Sequence, residues 1–243
     1  MRLSRVYVDQ VLDTGARITL DKETSHYLGT VLRLRVDADI LVFNASNGEF
    51  AARITEVNKH AIEVTLDALQ RAPVPAGLTT LLGLGISRGD RMDLAIQKAT
   101  ELGVSTITPL YTQYGEVKLK ADRAEKKLHH WQKIAVSASE QCGRLDLPTI
   151  TPPTSVDEWT AMLGDSLRLI LDPRGEQGIA QFAATAPTSI ALMIGPEGGF
   201  SEQELNWADS NGFATVSLGP RILRTETAPI VALAILQHRF GDL

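Results

Sequence analysis

The chain of 243 residues is 44% hydrophobic and 22% charged, a composition that is typical of globular domains and argues against disorder. This length fits either one large domain or two modest ones. The single cysteine, Cys142, excludes an intramolecular disulfide framework and a multi-cysteine metal cluster. The net charge of -5 argues against a general polyanion binder, so any contact with nucleic acid must rely on local basic patches.

The N-terminal residues alternate in character and form no apolar run, so we expect neither a signal peptide nor a membrane span. Together with the single cysteine, this pattern predicts a soluble, cytoplasmic protein.

Residues 1–70 are predicted to form a small closed β-barrel. Short strands are expected at residues 5–8, 16–20, 40–44, 49–57 and 61–66. Asn47 and Gly48 predict a tight type I′ hairpin turn between two of these strands. Thr24 and Ser25 are expected to cap a short helix whose apolar face carries Tyr27, Leu28, Val31 and Leu32. Prolines and a glycine then interrupt the pattern, which predicts an inter-domain linker at residues 71–77.

Residues 78–243 change to strands that alternate with helices, the pattern of an α/β domain with a mainly parallel sheet. The predicted strands are residues 78–86, 106–110, 167–171, 190–194 and 214–218. One helix is expected to begin at Asp90 and to end at Gly103, and a second to span residues 122–142 and to end at Gly143. Glycine at these ends is typical of a left-handed helix cap.

A glycine turn at residues 195–200 follows the strand at 190–194, and Ser201 and Glu204 have the spacing of a helix capping box. Glycines allow a ligand to approach the backbone closely. The alternative is a plain strand-to-helix connection that needs glycine only for its geometry.

A second glycine-started loop spans residues 218–229 at the same predicted end of the sheet. Two such loops form a crevice beyond the carboxyl ends of the strands, the usual ligand site of an open α/β sheet. The side chains of Arg221, Arg224 and Glu226 could face a second substrate there. Alternatively, the two arginines are surface charges that pair with Glu226 or Glu197.

The last helix is expected over residues 228–240, with Thr227 as its cap and Pro229 in its first turn. Its run from Ile230 to Leu236 has no polar break, which predicts burial on all sides. The sheet can cover one face, so a homodimer is favoured, and the alternative is burial inside a single core.

The two glycine loops read in full as Ile194-Gly195-Pro196-Glu197-Gly198-Gly199-Phe200-Ser201 and Leu218-Gly219-Pro220-Arg221-Ile222-Leu223-Arg224-Thr225-Glu226-Thr227-Ala228. This pair of segments resembles the signature of the RsmE family, the bacterial 16S rRNA uracil-N3 methyltransferases of the SPOUT class. Further matches are Ser87 to Met92, Gln97 to Val104, Trp131 to Ala135, Glu140 to Arg144 and His26 to Arg33. The similarity therefore covers essentially the whole chain.

This resemblance implies an N-terminal PUA-like β-barrel for RNA binding and a C-terminal SPOUT domain with a trefoil knot, assembled as a homodimer. It also implies that S-adenosyl-L-methionine is bound by the knot loops and that N3 of uridine 1498 in the small ribosomal subunit is methylated. The cofactor-binding residues are then predicted to be Leu171, Ile194, Gly195, Pro196, Glu197, Gly198, Gly199, Leu218, Gly219, Arg221, Ile222, Leu223, Thr225, Thr227 and Ala228.

Methyl transfer to a uracil nitrogen needs no metal, and we expect none. It needs alignment of the methyl carbon with N3 and help in losing the N3 proton. A cation near O2 or O4 would stabilise the uracil anion, so Arg221 and Arg224 are the predicted catalytic residues, with Glu197 as a proton acceptor.

RNA contacts are expected from Arg33, Arg88, Lys98 and Arg144, which are predicted to lie nearer the active crevice. A further basic stretch is also expected to contact RNA and consists of Lys118, Lys120, Arg123, Lys126, Lys127 and Lys133. Asp122 and Glu125 lie among these lysines, so an ordinary solvated helix face is the alternative.

The sequence also bears on other functions. Gly83, Gly85 and Gly89 nearly match a dinucleotide fingerprint, but Arg88 takes the place of the third glycine, so a nicotinamide enzyme is not favoured. Cys142 is interpreted as a small buried residue rather than a nucleophile, and His129 and His130 as solvated. The remaining alternatives are a SPOUT enzyme acting on another base or ribose, and a ribosome-assembly factor that binds RNA without catalysis.

Overall fold

The computed structural model describes residues 3–59, 61–74, 77–115, 120–181 and 186–243. The chain divides into two compact units, one of Met1–Pro75 with Ser139–Leu147 and the other of Ala76–Ala138 with Pro148–Leu243. The sequence did not indicate that Ser139–Leu147 belongs with the N-terminal segment. The apolar residues of the helix predicted at residues 122–142 recur with one period up to its end. This pattern does not show which residues pack around the last turn.

The first unit is built on one five-stranded sheet in the order β1-β3-β4-β5-β2. The strands are β1 (Ser4–Tyr7), β2 (Arg17–Thr19), β3 (Asp39–Asn44), β4 (Gly48–Val57) and β5 (Ile62–Arg71). Strands β1 and β3 are parallel, and the other pairs are antiparallel. Ile62, Val64 and Leu66 are buried on alternate positions, as predicted for a half-buried strand. The end strands β1 and β2 do not pair with each other in the described residues, so the sheet is open there.

The hairpin between β3 and β4 differs from the predicted turn. Asn44 pairs with Gly48, which leaves a loop of residues 45–47. The side chain of Asn44 accepts a hydrogen bond of 2.7 Å from the Asn47 backbone amide. Gly48 has a φ of +100°, but Asn47 does not have a positive φ, so the predicted type I′ turn is wrong.

The short helix α1 (Lys22–His26) is capped by Asp21 and not by Thr24 or Ser25. Asp21 accepts hydrogen bonds from the backbone amides of the next turn, whereas the Ser25 hydroxyl is buried and bonds to Leu20 and Ile62. A π-helical turn, Tyr27–Val31, follows directly. It buries Leu28 but exposes Tyr27, Val31 and Leu32, so the predicted apolar face is wrong.

The second unit contains an eight-stranded sheet in the order β11-β13-β10-β12-β6-β7-β8, with β9 paired to β7. Its strands are β6 (Thr79–Gly85), β7 (Thr106–Tyr111), β8 (Thr149–Ile150), β9 (Thr154–Ser155), β10 (Leu167–Leu171), β11 (Gln177–Gly178), β12 (Ser189–Ile194) and β13 (Ala214–Ser217). The pairs are parallel, which confirms the predicted α/β class. The knot itself stays a prediction.

Helices cover both faces of this sheet. They are α2 (Asp90–Glu101), α3 (Ala121–Cys142), α4 (Val156–Ala161), α5 (Glu202–Ser210) and α6 (Thr227–Phe240), of which α3 continues into the first unit from Ser139. Met92 and Ile96 of α2 pack in one core with Leu233 of α6, whereas Trp159 and Phe213 belong to the other core. In the described residues, no helix has both the length and the apolar character needed to cross a bilayer.

Helix α6 begins at Thr227, and Glu226 is its N-cap residue, so Thr227 is not the cap. One face, which includes Ala228, Ala232 and Leu233, is buried against the core. The opposite face keeps partial exposure, so burial on all sides does not occur within one chain. This face consists of Ile230, Val231, Ala234 and Ile235.

A buried ion network stabilises the first unit. Glu49 forms ion pairs with Arg5 and Arg71, and the Glu49 and Arg5 side chains are at most 8% exposed. Arg5 also donates to the backbone carbonyl of Ser139, and Arg71 to that of Gly143. Burial alone would raise the pKa of Glu49, but the hydrogen bonds from both guanidinium groups outweigh it and lower the pKa.

We expect Glu49→Gln to lower the free energy of unfolding by about 3 kcal/mol, because it leaves two cations without their shared partner. Since the folded-state pKa of Glu49 is lowered, this stabilisation is present above the unfolded-state pKa and is lost as pH falls through the folded-state pKa. Urea unfolding at neutral and acidic pH measures both effects. The matched control is Glu56→Gln, at an exposed position of β4. Equal stabilities of the two variants at neutral pH would contradict the role of Glu49.

Candidate active site

A cavity of about 390 Å³ lies in the second unit, where the neighbouring strands β13, β10 and β12 end. The segment after each strand contributes to it: Asp172 and Pro173 after β10, Pro196, Glu197 and Gly199 after β12, and most of residues 218–226 after β13. Because these strands are parallel and adjacent, their carboxyl ends bring three distant segments together. The predicted crevice between the glycine loops is therefore present.

The first glycine loop connects β12 to α5. The Gly199 amide donates to the carbonyl of Pro196 at 2.9 Å, and Gly199 has a φ of +66°. A Cβ atom on Gly195 would lie 3.1 Å from backbone atoms of Gly199, which is a tight contact. The predicted capping box of Ser201 and Glu204 is present in both directions. The loop geometry thus depends on glycine, and the capping box fixes the start of the following helix.

The second glycine loop connects β13 to α6. Gly219 has a φ of +84°, and the carbonyl of Arg224 accepts from the amides of Thr227 and Ala228 as the helix begins. Arg221 and Arg224 are exposed and line the cavity, and Ile222 is 84% exposed. The arginines thus stand where the cavity meets solvent.

Glu197 is held by the start of α2 as well as by its own loop. Its Oε1 accepts from the Arg88 amide at 3.1 Å and from Arg91 Nη1 at 2.7 Å. Burial alone would raise the pKa of Glu197, but hydrogen bonds from its own amide, from Arg91 and from the Arg88 amide lower it. A carboxylate stabilised in its charged form is a weaker proton acceptor, so this environment does not favour the base role predicted for Glu197.

Arg91 joins the two glycine loops and was missed as a site residue. Besides the ion pair with Glu197, its Nε lies 4.0 Å from Oε2 of Glu226. Its position in the matching segment from Ser87 to Met92 was the available signal. The sequence did not show that the start of α2 reaches the cavity.

Asp172 was also missed. It is 3% exposed and receives hydrogen bonds from the amide and the guanidinium group of Arg174. Burial alone would raise the pKa of Asp172, but these bonds lower it. The signal was available, because Asp172 directly follows a strand whose carboxyl end faces the crevice.

Most of the predicted cofactor-binding residues line the cavity: Leu171, Ile194, Pro196, Glu197, Gly199, Leu218, Gly219, Arg221, Ile222, Leu223, Thr225 and Ala228. Gly195, Gly198 and Thr227 are not among the lining residues. Gly198 instead faces Tyr114, since a Cβ added to it would lie 2.7 Å from the Tyr114 Cβ. Packing against Tyr114 therefore explains why position 198 is a glycine.

The predicted RNA-binding residues are divided between the units. Arg33 and Arg144 lie in the first unit, and Arg88 and Lys98 in the second. Arg144 is ion-paired with Asp146, and Lys98 with Glu101. These four residues therefore do not form one cluster within a single unit.

The basic stretch at residues 118–133 is largely solvent-facing where the structure describes it. Lys120, Arg123, Lys126 and Lys133 are exposed, Lys127 is half-buried, and Lys118 lies outside the described residues. His129 and His130 are exposed, with His130 Nε2 lying 2.7 Å from an Asp93 oxygen. Cys142 is exposed, so its predicted burial is wrong. The described residues contain no group of three or more His, Cys, Asp or Glu side chains that could hold a metal ion.

Comparisons with known proteins agree on one family. A family model described as an RNA methyltransferase domain matches residues 75–237, and a model described as an RNA methyltransferase PUA domain matches residues 20–67. Ribosomal RNA small subunit methyltransferase E of Buchnera aphidicola from Schizaphis graminum is 37% identical over 100% of this chain and 98% of the relative. The Rickettsia conorii protein of the same name is 31% identical over 96% of this chain and 95% of the relative.

Two solved structures are similar over the full length of both chains. A Legionella pneumophila protein described as a methyltransferase, solved with bound cofactor SAM, has a TM-score of 0.95 and 38% identity. Ribosomal RNA small subunit methyltransferase E of Neisseria gonorrhoeae, bound to S-adenosyl methionine, has a TM-score of 0.91 and 35% identity. The protein therefore belongs to the RNA methyltransferase family of ribosomal RNA small subunit methyltransferase E, with an N-terminal PUA-like domain and a C-terminal SPOUT domain.

Proposed function

We propose that this protein transfers the methyl group of S-adenosyl-L-methionine to N3 of uridine 1498 in 16S rRNA of the small ribosomal subunit. The observation that carries the proposal is the cavity formed by the two glycine loops of an RNA methyltransferase family member. Family relatives named for small-subunit rRNA, and similar structures solved with this cofactor, support it. The uracil position follows from the RsmE resemblance.

The cavity fits such a cofactor. Its volume of about 390 Å³ lies within the range of small-molecule sites. A Cβ atom on Gly199 or Gly219, both of which line the cavity, would meet no protein atom within 4 Å, so glycine leaves this space open to a ligand. Leu171, Ile194 and Leu223 offer an apolar surface for a base. When bound, the cofactor supplies an electrophilic methyl group.

The rim of the cavity suits the uracil. Arg221 and Arg224 are exposed there and carry charge that the uracil base would meet on entry. Their guanidinium groups would stabilise negative charge on O2 or O4 as the N3 proton is lost. The overall charge of -5 disfavours sequence-independent binding to RNA phosphates, so the structured small subunit is the expected substrate. For an enzyme with this substrate, the cytoplasm is the expected compartment.

Mass spectrometry of 16S rRNA from cells lacking the protein tests this function. We expect the methyl group on N3 of uridine 1498 to be missing and to return when purified protein and cofactor are added to isolated small subunits. Loss of a different methyl group would identify another SPOUT specificity. Cofactor binding with an unchanged rRNA methylation pattern would favour a non-catalytic assembly factor.

We expect Arg224→Ala to lower the rate of RNA methylation about 100-fold, the order of effect seen when one donor to a developing anion is removed. The dissociation constant of the cofactor should change little. Tritium transfer and calorimetry measure the two quantities, with Arg53→Ala, a change in an exposed surface ion pair, as the control. Equal losses of rate and cofactor affinity would instead assign Arg224 to cofactor binding.

The homodimer is part of this proposal. The face of α6 formed by Ile230, Val231, Ala234 and Ile235 is apolar and only partly covered within one chain. A second copy of the chain would cover it, as the resemblance to SPOUT enzymes implies.

We expect Ile235→Glu to convert the dimer to a monomer in light scattering, because a charge buried at an apolar interface costs several kcal/mol. Circular dichroism checks that the variant is folded. The control is His238→Glu, at an exposed position of the same helix. An unchanged mass for folded Ile235→Glu would place any dimer contact elsewhere.

A further inference from the structure

The carboxylates of the two glycine loops have different environments. Glu197 Oε1 is occupied by two strong donors, the Arg88 amide and Arg91 Nη1. Glu226 lines the same cavity, and its side chain is 14% exposed. Its contacts are weaker: Thr225 Oγ1 lies 3.4 Å from Oε2, and Arg91 Nε lies 4.0 Å from the same oxygen.

Among the residues that the structure describes, Glu226 therefore retains acceptor capacity that its surroundings do not use. It is the N-cap residue of α6, but its side chain makes no capping hydrogen bond. A largely buried carboxylate normally has its oxygens hydrogen-bonded, so such an oxygen at a cavity wall is suited to a donor brought by a ligand. The start of α6 fixes where this carboxylate stands.

Uracil N3 carries a proton that must leave when the nitrogen is methylated. The arginines of the rim are cations and cannot accept it. Both oxygens of Asp172 are held by Arg174, and Glu197 is held by Arg91 and the Arg88 amide. Of the carboxylates among the described lining residues, Glu226 has the fewest competing donors.

We propose that Glu226 is a catalytic residue that accepts the N3 proton of the target uracil. The N3–H bond breaks, its proton passes to a carboxylate oxygen of Glu226, and its electron pair stays on N3. That pair forms the new bond to the methyl carbon, while the departing sulfur keeps the electrons of the carbon–sulfur bond. The inference rests on the proposed function.

Arg91 acts in this scheme as a positioning residue. Its tight ion pair with Glu197 fixes the guanidinium group between the loops. At 4.0 Å from Glu226, beyond hydrogen-bonding distance, it attracts the carboxylate without occupying an acceptor site. Arg91 therefore orients the Glu226 carboxylate and leaves it available to accept a proton.

The first test is Glu226→Gln, which keeps the size of the side chain and removes the proton acceptor. We expect the single-turnover rate on unmethylated small subunits to fall about 100-fold, within the range for general-base catalysis. Cofactor affinity by calorimetry should stay within about threefold of wild type, since the carboxylate acts on the RNA base. The control is Glu202→Gln, an equal charge change at an exposed position of α5. A comparable loss of cofactor affinity would overturn the proposal and make Glu226 a cofactor ligand.

The second test uses small subunits containing 5-fluorouridine, whose fluorine makes the N3–H more acidic. If Glu226 removes this proton, the defect of Glu226→Gln relative to wild type should shrink to about tenfold or less, because a more acidic donor depends less on its base. A defect of unchanged size on both substrates would overturn proton acceptance. If the wild-type protein methylates neither substrate, that result would instead contradict the proposed function.

Discussion

The parallel pairing of β13, β10 and β12 is the constraint on which the site depends. Strands in this arrangement end at the same edge of the sheet, so segments far apart in sequence meet there. The Asp172 amide donates a main-chain hydrogen bond to the carbonyl of Val216. This bond extends the pairing of β10 with β13 past the end of β10 and positions the first residue of the segment that follows β10. The location of the cavity is therefore set by the topology of the sheet, and the side chains determine only how the cavity is lined.

Charge then links the segments that the sheet brings together. Arg91 comes from α2, Glu197 from the first glycine loop and Glu226 from the second, and one guanidinium group faces both carboxylates. The pair with Glu197 is partly exposed, so its contribution to overall stability is small. Its contribution is geometric, because a planar guanidinium group that faces carboxylates of both loops restrains the relative positions of those loops.

The sequence predicted the fold class and most of the cavity because both depend on local patterns. Strand and helix periods, the capping box at Ser201 and the two glycine loops are visible within short windows. Arg91 and Asp172 were missed as site residues although Arg91 lies in a matching segment and Asp172 directly follows a strand, because their place at the cavity arises from tertiary contact. The hairpin turn was wrong because the Asn44 side chain accepts from the Asn47 amide and supports a longer loop. Similarly, no local pattern shows that Ser139–Leu147 belongs to the first unit.

The two glycine loops use their backbone for ligand binding and their side chains for proton chemistry. Backbone that lacks Cβ atoms leaves space for a ligand, as at Gly199 and Gly219, so recognition there does not require side chains. Side chains of the same loops are then available for charge and proton chemistry at the rim. Buried charge is costly unless it is paired, and each carboxylate that is tightly paired loses strength as a base. A site that methylates a weakly acidic nitrogen therefore needs one carboxylate that is held nearby but left incompletely paired, and the contacts of Glu226 satisfy that condition better than those of Glu197 or Asp172.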